Sequence, residues 1–458
     1  MPKHILIIGP SGSGKTYISA SLRKQGINAP DADFIEGLSG WFGAGGKQVT
    51  YPKNADKEFL DNNEFLWNRD FLSKFLQDQQ NDIYLFGMSG NVFDMIELFD
   101  KVYFLKTSPE ILAQRLRHES RENPMGKTDY QLRNALSWAK EIEEKAKKID
   151  IETIDANQNP EQIYLQVSRA SIGFSKNIFE NFWPLTNVKL GNILQKSGER
   201  IVCEISANEG VFVFKVADSS KTEEKIKLDT FVFDFLKAKS FQNIPTLLKT
   251  REGENYQNLD GKFVYVMERI DGKAPERTPE NWARLGEIAA KIHDISDYPY
   301  KTLFTVESEM PKFAETAAKL SFAKEYVTLV ESLPNFSGLS TSLIHTDIGP
   351  HNAVQRKDGV IVLTDWDDAG VGITILDLGF PLICHFVTHE LEFEKEKASA
   401  FYNTYFAKRN LPDKEKNLIF DAGLFFALMY IPYGNTEKHW QRIKFAVENK
   451  ELILSVLR

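Results

Sequence analysis

Cysteine is nearly absent from this sequence. Only Cys203 and Cys384 occur, far apart along 458 residues, which excludes a disulfide framework and a cysteine-based zinc site and implies a reducing setting. Long apolar runs are missing too: no stretch approaches the roughly 18–20 apolar residues that a membrane helix needs. The apolar start, Met1-Pro-Lys-His-Ile-Leu-Ile-Ile-Gly9, is short, runs into a glycine-rich loop and lacks a small-residue cleavage site. It does not read as a signal peptide, and a cytoplasmic location is expected. Positive charge is in deficit. The net charge of −8 argues against a general nucleic-acid or anionic-membrane binder. There is no internal repeat and no low-complexity segment. What remains is a globular composition, 42% hydrophobic and 26% charged, in a chain long enough for two or three domains.

The most informative stretch is 343–369. Two apolar, β-branched runs flank Lys357-Asp358-Gly359, which predicts a β-hairpin. Asp347 and Asn352 then fall on the loop entering the hairpin and Asp365 on the loop leaving it, so both loops open on one edge. Phosphoryl transfer calls for such a set: a carboxylate to orient a hydroxyl and take its proton, and an Asn and an Asp to hold Mg²⁺ against nucleotide phosphates.

His345-Thr-Asp347-x-x-x-x-Asn352, followed by Asp365-Trp366 and Asp377-Leu378, resembles the catalytic and metal loops of the protein-kinase-like phosphotransferases. It is most similar to the aminoglycoside phosphotransferase and choline kinase branch. The resemblance implies that Asp347 is the base, that Asn352 and Asp365 bind metal, and that His345 braces the loop through backbone bonds. Asp367 and Asp368 follow the metal Asp, and either a metal, a cationic acceptor or a solvated turn accounts for them. His351 is read equally as a substrate neighbour or as loop packing.

Near the N-terminus, Ile5–Ile8 reads as a buried strand and Tyr17–Arg23 as a helix. Between them lies Gly9-Pro-Ser-Gly12-Ser13-Gly14-Lys15-Thr16, a G-x-x-x-x-G-K-T in the strand–loop–helix setting that a P-loop requires. Gly9, Gly12, Ser13 and Gly14 would turn backbone N–H groups toward phosphate, Lys15 would reach the outer phosphates, and the Thr16 hydroxyl would ligate Mg²⁺. Strands at 82–86, 101–105 and 151–154 alternate with helices and predict a parallel α/β sheet.

Asp31-Ala-Asp33 falls where a second strand should end. Small-molecule and nucleoside-monophosphate kinases of the P-loop class often carry acidic residues there, which makes Asp33 a metal candidate. Arg115, Arg117 and Arg121 fall where such kinases carry a lid. The strand ending at Phe86 runs into Gly87-Met-Ser-Gly, with no acidic residue at its tip. That departs from the P-loop pattern and puts hydrolysis in doubt. This domain is set at 1–170, with a junction at 169–178.

The second domain, 178–458, opens with strands and closes with helices. It is expected to be an α+β bilobal kinase-like fold, with an N-lobe at 178–270 and a helical C-lobe at 271–458. Ser197 and Gly198 sit where kinases carry a phosphate-covering loop. Lys215 lies on the third strand, where the fold needs a lysine on the α- and β-phosphates. Asp229 on the next helix, one methylene shorter than the family's Glu, is expected to pair with Lys215. Met267, Glu268 and Ile270 would form the hinge and adenine pocket. His293 is expected to be a packed or capping histidine.

The function these readings imply is an ATP-dependent (or GTP-dependent) phosphotransferase. It would use Mg²⁺ to phosphorylate a small-molecule hydroxyl in the C-terminal domain, beside a second nucleotide-binding domain. One alternative makes the P-loop half the main kinase or only a regulatory module. A protein kinase is a further alternative, weakened by the missing Ala-Pro-Glu and the short span from Asp365 to Asp377. Acceptor and oligomeric state stay open.

Overall fold

The computed structural model describes residues 2–52, 55–118, 126–168, 176–197, 200–218, 220–259, 261–433 and 435–458. The chain divides into two compact units. One holds residues 1–175 with 191–197, the other 176–190 with 198–458.

The first unit is built on a parallel sheet of β1 (His4–Ile8), β2 (Ile83–Phe86), β3 (Lys101–Lys106) and β4 (Glu152–Asp155), in the order β2-β1-β3-β4. Helix α1 (Lys15–Lys24) follows β1, and α2 (Pro109–Arg117) follows β3. The strands are near-continuous apolar runs because helices cover both faces, as parallel sheets require. Leu6, Ile8 and Leu85 pack on one side, and Ile5, Ile7, Tyr84 and Phe86 on the other. The expected second strand shrinks to a single bridge, Asp31 to Phe86, on an extended segment whose Asn28 and Pro30 carbonyls accept from Tyr84 and Phe86.

The second unit opens on an antiparallel sheet. β5 (Arg200–Ala207) and β6 (Gly210–Val216) form a hairpin, α3 (Glu223–Ala238) follows, and β7 (Leu247–Leu248) and β8 (Lys262–Glu268) complete the order β7-β8-β6-β5. The rest is mainly helical. α4 (Pro279–His293) starts as its sequence dictates, with Thr278 Oγ1 accepting from Asn281 N–H and Pro279 in the first turn. Among the helices stand β9 (Thr341–Ile344), the hairpin β10 (Ala353–Arg356) and β11 (Ile361–Leu363), and β12 (Gly370–Ile373), which pairs with β9. The expected hairpin forms, with Ala353 opposite Leu363.

Helices α5 (Thr374–Cys384), α6 (Lys395–Lys408) and α7 (Asp413–Met429) complete an aromatic core that includes Trp282, Trp366, Tyr326 and Phe425. No helix among the described residues is long and apolar enough to cross a membrane.

Candidate functional site

In the second unit the site is assembled where two loops meet. β9 delivers His345-Thr346-Asp347, and β11 delivers Asp365. Both Thr346 (φ 75°) and Asp365 (φ 60°) take the left-handed conformation, which costs non-glycine residues energy and persists only where surroundings enforce it. At Thr346 the enforcing group is Asp377 on α5. Its fully buried carboxylate accepts the His345 N–H at 2.7 Å and the Thr346 N–H, and lies 3.1 Å from His293 Nε2. His293 is itself buried and bonds Tyr405 Oη at 2.9 Å, so it packs as expected.

The two loops are also tied to each other. Thr364 N–H donates to the Asn352 carbonyl at 2.8 Å, His345 Nε2 lies 3.0 Å from the Thr364 carbonyl, and Asn352 Nδ2 donates to the Asp347 carbonyl at 3.2 Å. His345 is buried against the edge of Trp366.

Asp347, Asp365 and Asp367 line one cavity of about 1160 Å³. Phe304, Phe313, Phe322, Phe426, Tyr430 and Tyr433 line the same cavity.

Lys215 reaches these acids from the sheet. Its Nζ donates to Asp365 Oδ1 and Asp367 Oδ1, both at 2.6 Å. Arg200 Nη2 donates to Asp365 at 3.2 Å and to Asp367 at 3.4 Å, and Lys221 Nζ to Asp367 at 2.8 Å. Tyr265 Oη adds a bond to Asp367 at 3.2 Å. Burial works against a charge on Asp367, but Lys215 and Lys221 outweigh it and hold the carboxyl well below the usual range.

The expected Lys215–Asp229 pair is not formed. Asp229 is buried on α3, and its two oxygens are taken by Lys221 at 2.6 Å and Lys225 at 2.9 Å. Lys215 is meanwhile engaged by the Asp365 and Asp367 carboxylates. Asp229 has its carboxyl pushed up to about 6, by burial first and by the charge of Asp367, against the pull of Lys221 and Lys225.

Sequence reasoning missed Arg200 and Lys221 and left Asp367 open. Arg200 was legible only as part of a turn, and nothing local distinguishes Lys221 from its surface neighbours. Met267 and Glu268 lie on β8, opposite Val213 and Phe212. The Glu268 carboxylate is engaged by Thr246 N–H at 2.7 Å and Thr246 Oγ1 at 2.9 Å. The Glu268 and Arg269 N–H groups donate to the Thr246 and Val211 carbonyls, and Ile270 follows as the strand ends. Ser197 closes the strand Lys189–Ser197; its side chain, and Gly198, lie outside the described residues.

In the first unit, Gly9–Thr16 joins β1 to α1. Gly12 (φ 87°) and Gly14 (φ 99°) adopt the left-handed turn open to glycine, and no side chain caps the α1 N-terminus. Lys15 Nζ donates to the Gly9 and Pro10 carbonyls at 2.7 and 3.0 Å. The Ser13 hydroxyl is buried without a partner, and Thr16 is exposed on the first turn. Asp31 Oδ1 accepts the Asp33 N–H at 3.1 Å, and Asp31 Oδ2 is buried without a partner. Asp33 has its carboxyl pushed up to about 6, by loss of surrounding water and then by Asp31, with Lys15 opposing. Arg115 donates to the Gly12 and Ser13 carbonyls, Arg117 pairs with Asp129, and Arg121 lies outside the described residues.

Residues 199–413 match the model of the phosphotransferase enzyme family, APH. That stretch is similar to the family over a little under half of the chain, and the chain is an ATP-dependent phosphotransferase with an alcohol-group acceptor. No curated protein matches. Among solved structures, an aminoglycoside phosphotransferase from Alicyclobacillus acidocaldarius is 17% identical, over 58% of this chain and 92% of its own, with a TM-score of 0.42. An amicoumacin kinase in complex with AMP-PNP, Ca²⁺ and Ami is 15% identical, over 62% and 96%, with a TM-score of 0.46. A choline kinase from Streptococcus pneumoniae is 14% identical, over 59% and 92%, with a TM-score of 0.40.

Proposed function

We propose that the second unit transfers the γ-phosphoryl group of ATP to a hydroxyl of a small molecule. The observation that carries this reading is the shared cavity. Asp347 and Asp365 line it together with a set of aromatic side chains, and the strand lysine Lys215 reaches Asp365. An acceptor in that cavity presents its hydroxyl to Asp347, which takes the proton as the new P–O bond forms and the bond to the departing ADP breaks. Transfer is direct, with no covalent enzyme intermediate. Lys215 holds the nucleotide phosphates. Around Met267–Ile270, the Glu268 and Arg269 N–H groups are already committed and the Ile270 carbonyl accepts from Arg269 Nη1, which leaves an adenine the Ile270 N–H.

The donor chemistry fits Mg²⁺. Asp365, Asp367 and the Asn352 amide supply hard oxygen ligands, and two cationic side chains already balance Asp365. When bound, Mg²⁺ would neutralise the nucleotide phosphates. The loss of Arg200 and Lys215 from Asp365 would accompany that exchange of one positive charge for another.

In the first unit, the left-handed glycines, the uncapped α1 N-terminus and the buried unpaired Ser13 hydroxyl favour a phosphate-binding loop, with Thr16 and Asp33 as candidate Mg²⁺ ligands. β2 ends at Phe86-Gly87 without an acid, which favours a nucleotide-binding regulatory module over a second turnover site.

The test is transfer of labelled γ-phosphate from ATP into a pool of aminoglycosides, macrolides, choline and nucleosides, run for wild type, Lys15→Ala and Asp347→Asn. A product lost only in Asp347→Asn supports this assignment. One lost only in Lys15→Ala reverses it and makes the first unit the kinase.

A further inference from the structure

The Asp347 carboxylate has a second set of neighbours that phosphoryl transfer does not use. Its Oδ1 lies 3.0 Å from His351 Nε2, yet the contact lacks hydrogen-bond geometry, and Oδ1 is buried without a hydrogen-bond partner. His385 Nε2 is buried without a partner as well. One ligand atom from each of Asp347, His351 and His385 falls within 4.8 Å of the others. It is the one such three-residue group among the described residues.

The backbone builds this cluster. Asp347 and His351 are brought together by the short 3₁₀ turn Pro350–Asn352, and His385 follows the last residue of α5. Gly349 sits between the rings. A Cβ there would lie 2.3 Å from His385 Nε2 and 2.8 Å from His351 Nδ1, so a side chain at this position would push the imidazoles apart. The nearby cationic residues point elsewhere. Arg277 donates to the His385 carbonyl at 2.7 Å and lies 3.6 Å from Glu394, and Arg442 donates to the Cys384 carbonyl at 3.3 Å.

Buried polar atoms are paired in almost every case, and an unpaired carboxylate oxygen and an unpaired imidazole nitrogen converging with a second imidazole are the arrangement a cation satisfies. Two imidazoles and one carboxylate select borderline-soft ions such as Zn²⁺ and Co²⁺ over Mg²⁺, which prefers oxygen and water.

We infer that Asp347, His351 and His385 form a site for a divalent cation of the Zn²⁺ class, and that its occupancy withdraws Asp347 from the acceptor hydroxyl and so inhibits transfer. The binding half stands on this geometry alone. The inhibitory half rests on the reading of Asp347 as the base.

The probe is Co²⁺, whose visible absorption reports nitrogen and oxygen coordination, titrated into the full chain and then displaced with Zn²⁺. The expected result is one equivalent bound, displaced by Zn²⁺ and not by millimolar Mg²⁺. His351→Asn and His385→Asn should each weaken binding by at least about tenfold. His351 is exposed at the surface, so its variant tests the site even where the His385 variant unfolds; circular dichroism checks both. Absence of Co²⁺ bands in wild type, or unchanged affinity in a folded His351→Asn, overturns the site.

In the transfer assay, the ratio of rates without and with Zn²⁺ should fall toward one in His351→Asn. Co²⁺ binding alongside undiminished transfer at saturating Zn²⁺ overturns the inhibitory half. Transfer that survives Asp347→Asn overturns the base reading instead and leaves the Co²⁺ result in place.

Discussion

Lys215 Nζ bonds both Asp365 and Asp367 at 2.6 Å, while Asp229, on the helix after the lysine strand, is held by Lys221 and Lys225. One acid, Asp367, thus collects Lys215, Lys221 and Arg200, and Asp229 is the outlying member of the network. With three cations directed at it, Asp367 stays ionised, and its charge adds to burial in raising Asp229.

That contrast has a pH signature. The Asp229 carboxyl moves from its ordinary 3.8 up to about 6 in the folded chain. A raised folded value means that the stability from this group is full below about 3.8 and is lost as pH rises through about 6. The difference in unfolding free energy between wild type and Asp229→Asn should therefore shift against wild type across that window. Two pKa units correspond to about 3 kcal/mol at most. Urea unfolding of the two proteins at pH 4 and pH 7 checks the sign.

Asp347→Asn keeps the shape of the side chain and removes its basicity. Transfer to the best acceptor should fall by about 10²–10⁴-fold, the usual contribution of a general base, with nucleotide affinity little changed. Steady-state kinetics beside nucleotide titration separates the two effects.

Asp377 fixes the loop that carries Asp347 without lining the cavity. Asp377→Ala leaves the buried His345 and Thr346 N–H groups without their acceptor and His293 without its partner. Stability should drop by about 3 kcal/mol or more, at about 1–3 kcal/mol for each buried group left unsatisfied. Asp377→Asn, which keeps an acceptor oxygen, should lose less. Denaturant midpoints of both variants test this order.

Lys15 lies in the loop between β1 and α1, in the first unit. Lys15→Ala should lower the stoichiometry of a non-hydrolysable ATP analogue from two sites to one, as read by calorimetry. A stoichiometry of one in wild type, unchanged in the variant, would remove nucleotide binding from the first unit.

Much of this protein is legible in its sequence because the relevant signals are local. Turn residues between β-branched runs specify the β10–β11 hairpin, and its geometry alone places Asn352 and Asp365 on one edge. Thr278-Pro279 specifies the start of α4, and continuous apolar runs specify strands buried on both faces. Which charges pair was decided only by tertiary structure. Lys215 and Asp229 are separated by one strand end and part of a helix, so spacing suggests a pair. The contact is settled instead by where β11 delivers Asp365 and Asp367, about 150 residues downstream. The same holds for Arg200, Lys221 and the meeting of His385 with Asp347. An ion pair follows distance in space, and that distance is set by tertiary packing, not by separation along the chain.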